Sequence, residues 1–236
     1  MPGFSHVPYN NIDALDKAVT EETAAVILEI IQGEGGVYPA NADYIQAARK
    51  ICDEREVLLI VDEIQSGFGR TGKMFAVQHY AITPDLLTCA KSLAGGVPMG
   101  AVLVGRNVKN LTPGVHSSTF GGNPLSCAAA VAALTVLEEE DLPGQAEAKG
   151  KYLIERLQKL SSPHIREVRG LGLMVGIEMK QKVAPYIRAL QARKIIALNA
   201  GMTVIRLLPP LVITYEQIDY LVDVLSEVLV SEQNDE

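Results

Sequence analysis

The chemistry this chain offers starts with a carboxylate and an amine, each carried to the end of a short apolar run. Val57, Leu58, Leu59, Ile60 and Val61 form an uninterrupted stretch that breaks at Asp62 and Glu63, and Leu86 to Cys89 form a second that ends in Ala90 and Lys91. Open α/β sheets bind ligands at the carboxyl ends of their strands, so both groups are expected at one pocket. A lysine there can hold an aldehyde as a Schiff base. An aspartate can keep a heteroaromatic nitrogen protonated, so that the ring accepts electrons from a carbanion; together these are the demands of pyridoxal phosphate. The apolar approach to Lys91 predicts a partly buried amine. The plainer reading makes Asp62 a loop anchor and Lys91 a solvated side chain, and spacing alone does not choose between them.

Two other motifs overlap this stretch and fail on physical grounds. Gly67, Gly69 and Gly72 satisfy GxGxxG, but a dinucleotide loop must follow its strand directly and open a helix, whereas Asp62 to Ser66 intervene and would set two carboxylates against a pyrophosphate. Gly67 to Lys73 also resembles a phosphate loop of nucleotide hydrolases, yet Met74 stands where a hydroxyl must bind magnesium.

The elements that must position Asp62 and Lys91 alternate strand-like and helix-like segments. Ala24 to Ile31 reads as a buried strand running into the glycine loop Gln32 to Gly36, and Asn41 as the N-cap of a helix through Glu54 with Tyr44, Ala47, Ala48 and Ile51 inward. The run before Asp62 predicts a strand covered on both faces. After Lys91, Gly95 to Pro98 turns the chain into a strand over Met99 to Val104, and Asn123-Pro124 opens an Ala-rich helix to about Glu140. This alternation predicts a mainly parallel sheet flanked by helices. From Leu142 to about Leu160 a charged amphipathic helix follows, then strand-like runs at Ile165 to Val168, Leu173 to Met179, Ile195 to Leu198 and Val204 to Leu208. Thr214 with Gln217 forms a capping box for a last helix ending near Val230, and the polar tail SEQNDE is expected to fray. The expected division is a larger domain over residues 1–145 and a smaller α+β domain over residues 146–236.

Composition narrows the partners. With 236 residues, 48% hydrophobic and 21% charged, the chain can bury a substantial core, and a net charge of −7 without a basic run argues against nucleic acid. Cys52, Cys89 and Cys127 are widely spaced and fit reduced thiols better than a disulfide framework or zinc site. His79 and His116 lack metal-ligand spacing. No targeting segment or apolar run of membrane length stands out, so the reading is a cytoplasmic globular protein.

The segments VILEIIQGEGGVYP, LLIVDEIQSGFGRTGKMFAVQHY, PDLLTCAKSLAGGVPMGAVLVG and HSSTFGGNPLSCAAAVAAL resemble, in order, the signature blocks of the class III (ornithine-type) aminotransferases. IREVRGLGLMVGIEM and TVIRLLPPLVI are similar to the acetylornithine branch, and KQKVAPYIRALQARKIIALNAG is still more similar to members acting on carrier-protein-bound aminoadipate semialdehyde. The resemblance spans nearly the whole chain. It implies the type I fold of pyridoxal-phosphate-dependent aminotransferases: part of a large α/β domain with a mainly parallel sheet, plus a small C-terminal α+β domain.

The resemblance also implies roles. Lys91 would hold the cofactor and shuttle the proton of transamination, Asp62 would pair with the pyridinium nitrogen, and Gln65, with Glu63 and Ile64 beside it, would contact the ring at its 3-oxygen. Thr119 would donate to the cofactor phosphate from a partner subunit in a homodimer, and Ser118 would lie beside the substrate. Arg206 would clamp the α-carboxylate of glutamate or 2-oxoglutarate, and Glu34 would pair with Arg206 when a longer amino donor is bound. The amino donor would be acetylornithine or a carrier-linked lysine precursor, with ornithine or 4-aminobutyrate as alternatives. Each residue keeps a bland reading: Glu34 could cap its own loop, Arg206 could snorkel or pair with a surface acid, and Ser118 and Thr119 could be turn hydroxyls. No stretch matches the family's phosphate-cupping loop, which implies an N-terminally truncated member. A rival expectation is a catalytically weak or inactive subunit on the same scaffold.

Overall fold

The structure, a computed structural model, describes residues 1–231 apart from residues 110, 113 and 115. In chain order it carries α1 (Ile12–Ala18), β1 (Ala25–Glu29), β2 (Ile31–Gln32), β3 (Tyr38–Pro39), α2 (Ala42–Glu54), β4 (Leu58–Asp62), β5 (Leu86–Cys89), β6 (Ala101–Val104), α3 (Pro124–Glu139), α4 (Leu142–Gln158), β7 (Ile165–Leu171), β8 (Met174–Met179), α5 (Ala184–Ala192), β9 (Leu198–Ala200), β10 (Val204–Leu207) and α6 (Tyr215–Ser231). These fall into two compact units, each discontinuous in sequence. The first comprises Met1–Ile30, Ala40–Phe68 and Phe75–Val136; the second comprises Ile31–Pro39, Gly69–Met74 and the chain from Leu137 onward.

The first unit is built on a four-stranded sheet of order β1-β4-β5-β6, with β1, β4 and β5 parallel and β6 an antiparallel edge. The mainly parallel sheet expected from the alternation is therefore present. Helix α2 packs on β4 and buries Tyr44, Ile45, Ala48, Ile51 and Cys52, while Leu28, Leu59, Val61 and Leu87 are buried from the sheet. The expectation that β4 is covered on both faces is corrected: its burial alternates, and on the row it shares with β1, Ile27 is 60% exposed. An apolar residue at every position hides a period of two that only packing reveals. Asn123 caps α3 by accepting from the Ser126 amide at 3.0 Å. Asn41 occupies the expected cap position of α2 but makes no side-chain cap bond, and Ala47 on that helix is only half-buried.

The second unit carries the antiparallel sheet β7-β8-β10-β9, with the hairpin pair β2-β3 as a separate ladder. Leu153 and Leu157 of α4, Tyr186 and Leu190 of α5, and Ile218, Val222 and Leu225 of α6 bury one shared core with Val175, Ile177, Ile205 and Leu207. Each such side chain contributes roughly 1.5 to 3 kcal/mol of transfer free energy. Gly150 of α4 and Gly172 in the β7-β8 turn are required by close approach: a Cβ on Gly150 would lie 2.0 Å from the Gly172 carbonyl oxygen. The Thr214 and Gln217 capping box forms, at 3.0 and 3.3 Å.

Helices α1 and α5 had no counterpart in the sequence reading. The strand expected over Ile195 to Leu198 starts instead at Leu198, because the Ile195 amide closes the end of α5 on the Leu190 carbonyl at 3.0 Å and Lys194 takes a φ of +63°. The strand expected from Ala24 to Ile31 is split between β1 and β2. The polar tail beyond residue 231 lies outside the described residues. No helix among the described residues is long and apolar enough to cross a membrane.

Candidate active site

The first unit brings its chemistry to one sheet edge. Glu29, Asp62 and Thr88 stand opposite one another in the parallel register of β1, β4 and β5, so Asp62 ends its strand beside the segment leading to Lys91. Asp62 is half-buried, and one of its oxygens accepts from the Ile64 amide at 2.8 Å, which fixes the carboxylate at the turn. Glu63 points the other way. It is fully buried, accepts from the Val77 amide at 2.8 Å and from the Ser66 hydroxyl, and its backbone amide donates to the Thr88 carbonyl at 3.0 Å. Burial pushes the Glu63 carboxyl above its ordinary value, partly offset by those bonds. Glu63 thus shapes the loop that presents Ile64 and Gln65, both half-buried.

Lys91 opens a short 3-10 turn, Lys91–Ala94, with φ of +47° and an exposed side chain. The partly buried amine expected from the apolar approach is corrected: Leu87 and Cys89 go into the sheet's covered face, and the backbone then turns the lysine outward. A lysine in the left-handed region is uncommon, and such torsions cost on the order of 1 to 3 kcal/mol and cluster at functional sites.

A cofactor with an aldehyde and a basic ring nitrogen fits this edge. It would meet an exposed amine, a fixed carboxylate and, on the Asp62 row, the Thr88 hydroxyl, a buried oxygen with no hydrogen-bond partner among the described residues. Ser118 and Thr119 are exposed in the segment leading to the α3 cap. A cavity of about 510 Å³ lined by Val19, Thr20, Glu21, Glu54 and Arg55 lies where β1 and β4 begin, away from the strand ends that bear the chemistry. No cluster of metal-ligating side chains occurs among the described residues.

The second unit brings Glu34 and Arg206 together. Arg206 Nη1 donates to a Glu34 carboxylate oxygen at 2.7 Å, with the Arg206 side chain only 7% exposed and that of Glu34 72% exposed. Arg206 does not snorkel; it pairs with an exposed acid, the other half of its bland reading, and Glu34 reaches beyond its own loop to make that pair. Arg169 and Glu178 of the same sheet were passed over in the sequence, where the run Arg166, Glu167, Val168, Arg169 looks like a solvated strand; the pairing of charges across β7 and β8 was the missed signal.

Comparison with known proteins gives the family. A family model described as aminotransferase class-III matches residues 4–229. The chain belongs to the class-III aminotransferase family. It is 53% identical over 225 residues to a LysW-aminoadipate semialdehyde transaminase of Deinococcus radiodurans, covering 94% of this chain and 52% of that protein. It is 46% identical to an acetylornithine aminotransferase of Methanocaldococcus jannaschii, covering 96% of this chain and 58% of that one. A solved ornithine aminotransferase of Toxoplasma gondii, whose active site is described as partly occupied by pyridoxal phosphate, superposes with a TM-score of 0.94 at 38% identity, covering all of this chain and 57% of its own. This chain therefore spans about half the length of the curated relatives it matches. The fold is a part of the pyridoxal-phosphate-dependent aminotransferase fold, as the resemblance implied, and pyridoxal phosphate is the cofactor the family indicates.

Proposed function

We propose that the chain carries the lysine-bearing part of an aminotransferase that moves an amino group between the ω-position of an acylated diamino acid and 2-oxoglutarate. The observation that carries this reading is the strand-edge pair: Asp62 fixed at the end of β4, and Lys91 turned outward just past the neighbouring parallel strand. Pyridoxal phosphate supplies an electron sink when bound. Lys91 would hold the cofactor's aldehyde through Nζ and, once free, would serve as the base and acid for the substrate proton. Asp62 would keep the ring nitrogen protonated, and Gln65, positioned by the buried Glu63 and flanked by Ile64, would bond the ring oxygen. Arg206 receives the substrate α-carboxylate in fork geometry once Glu34 releases it.

The amino substrate in this reading is acetylornithine or a carrier-linked diamino acid whose oxo form is the aminoadipate semialdehyde, and the identity to the Deinococcus protein supports the carrier-linked class. The same reading makes the protein a cytoplasmic homodimer through the residues 1–145 domain, with Thr119 reaching a partner's cofactor phosphate and Ser118 lining the substrate. Borohydride reduction of the cofactor-loaded chain followed by peptide mapping tests the core of it. The pyridoxyl group is expected on Lys91, and finding it on Lys73 or Lys109 overturns the assignment. Labelling at Lys91 without glutamate-dependent turnover would favour a non-catalytic subunit instead.

A further inference from the structure

The Glu34 loop is gripped at two points by one row of the small sheet. Arg169 of β7, Gly176 of β8 and Arg206 of β10 stand opposite one another in the antiparallel register, so their side-chain positions share a face. The middle position is bare. A Cβ there would come within 2.9 Å of Val37 Cβ and 3.3 Å of the Gly36 carbonyl oxygen, so the loop lies in the gap between two arginines. Arg206 takes the Glu34 carboxylate, whereas Arg169 takes backbone. Its Nε donates to Gly36 O at 3.1 Å and Val37 O at 3.0 Å, and its Nη2 to Gly36 O at 2.7 Å. The Arg169 side chain is 8% exposed, lies 3.8 Å from the centre of the Tyr38 ring and pairs with Glu178 at 2.6 Å. The grip falls on a stretch that would not hold this shape unaided: Val37 has a φ of +54° and Gly36 one of +128°, and a β-branched residue in the left-handed region is a genuine outlier that persists only when its surroundings over-determine it.

We propose that Arg169 is a positioning residue for the Glu34 and Arg206 pair. By fixing the Gly36 and Val37 carbonyls it keeps the loop backbone still, so that Arg206 is covered and uncovered by rotation of the Glu34 side chain alone. The exposure contrast fits this division of labour, since Glu34 can swing into water while Arg206 stays buried. The inference rests on the reading of Arg206 as the carboxylate-binding group, and its test separates the two.

The test is calorimetric binding of 2-oxoglutarate to the full 236-residue chain loaded with pyridoxal phosphate, with amide hydrogen exchange at residues 34–37 as a second readout. Arg206→Ala is expected to lose dicarboxylate binding. Glu34→Gln is expected to tighten it by about fivefold, the scale of an ion pair with one exposed partner. Arg169→Met should tighten it in the same direction, Arg169→Lys should sit between that variant and the parent, and Arg169→Met should add nothing in the Glu34→Gln background. Loop amides should exchange at least ~10-fold faster in Arg169→Met. If that variant does not fold, Tyr38→Leu, which removes the ring beside Arg169 from a partly exposed position, should show the same pattern more weakly. Unchanged or weakened binding in Arg169→Met, or a shift that persists without the Glu34 charge, overturns the proposal. Undiminished binding in Arg206→Ala sinks the carboxylate reading instead, and the loop exchange then decides the role of Arg169, with unchanged rates overturning it.

Discussion

Replacing Asp85 with alanine should unlock the strand pair that carries Asp62 and Lys91. Asp85, immediately before β5, is buried and accepts from the Leu59 amide at 2.7 Å, from Arg49 Nη1 at 2.9 Å and from Asn107 Nδ2 at 2.8 Å. Truncation orphans a buried amide of β4, worth about 1 to 3 kcal/mol, and removes a carboxylate from a largely buried guanidinium, a change that alone costs about 3 to 5 kcal/mol when nothing compensates. Arg49 keeps Asp53 at 2.8 Å, so the sum should fall near 3 kcal/mol rather than at the upper limit. Asp85→Asn keeps the acceptor and loses the charge, and should cost roughly half as much. The assay follows from the cysteines: all three lie in the first unit, with Cys52 and Cys89 buried and their thiols pushed up to about 11 by burial. Thiol labelling against urea therefore reports that unit alone. A loss near 3 kcal/mol appears as roughly 100-fold greater labelling of the buried thiols through unfolding. Burial works to raise the Asp85 pKa, but the Leu59 amide, Arg49 and Asn107 outweigh it and hold the carboxyl below its ordinary 3.8. Its contribution is therefore complete above pH 3.8 and fades as pH falls through the lower folded value. A cost below ~1 kcal/mol for Asp85→Ala, or equal costs for Ala and Asn, would refute this accounting.

Three further outcomes are expected. Glu178 also titrates below its ordinary 4.5, because bonds from Arg169, Tyr38 and Arg166 and the Arg169 charge overcome the raising effect of burial; its stabilisation is present above pH 4.5 and lost as pH falls. Protection of β8 amides, with intrinsic exchange at each pH divided out, should fall on acidification in the parent and much less in Glu178→Gln, and parallel pH profiles would contradict this. Gly172→Ala places a Cβ 2.4 Å from the Thr71 carbonyl carbon and 2.7 Å from Arg70 O at a φ of +55°, so the β7-β8 turn should lose about 3 kcal/mol or more by urea titration, and a loss under ~1 kcal/mol would show that the turn yields. In the cofactor-loaded protein, Asp62→Asn should leave borohydride labelling of Lys91 intact while lowering turnover by about 10² to 10⁴; near-parent turnover would reduce Asp62 to a loop anchor.

The parallel sheet was legible because apolar runs ending in Asp62 and Lys91 declare strands and their edge, and caps such as Asn123 and Thr214 declare helix starts in the chain's own chemistry. Lys91 exposure was not legible, since it depends on a single positive torsion that no neighbouring residue type demands. Helix α5 was missed although Pro185 in its first turn and Tyr186 with Leu190 one turn apart are a helical signal, because nine residues give too short a stretch for the period to stand out. The Glu34 and Arg206 pairing came from family resemblance rather than pattern, because residues so distant in sequence meet only through the register of β8 and β10 and the loop laid over Gly176.

The discontinuity of the second unit bears on how such chains can be recombined. Its Ile31–Pro39 and Gly69–Met74 pieces are encoded well before its main body, so a crossover between two relatives near residue 145 would inherit the body from one parent and these pieces from the other. The mismatch would fall on Arg169 against the Gly36 and Val37 carbonyls, on Arg70, which donates to Leu173 O at 3.1 Å and to Pro209 O at 2.5 Å, and on the Gly172 turn pressed against Thr71. Two of these three joints bind backbone oxygens, which every parent supplies, so compatibility turns on loop shape more than on side-chain identity. Chimeras should tolerate divergent sequence at the seam and reject a single inserted residue in either short piece.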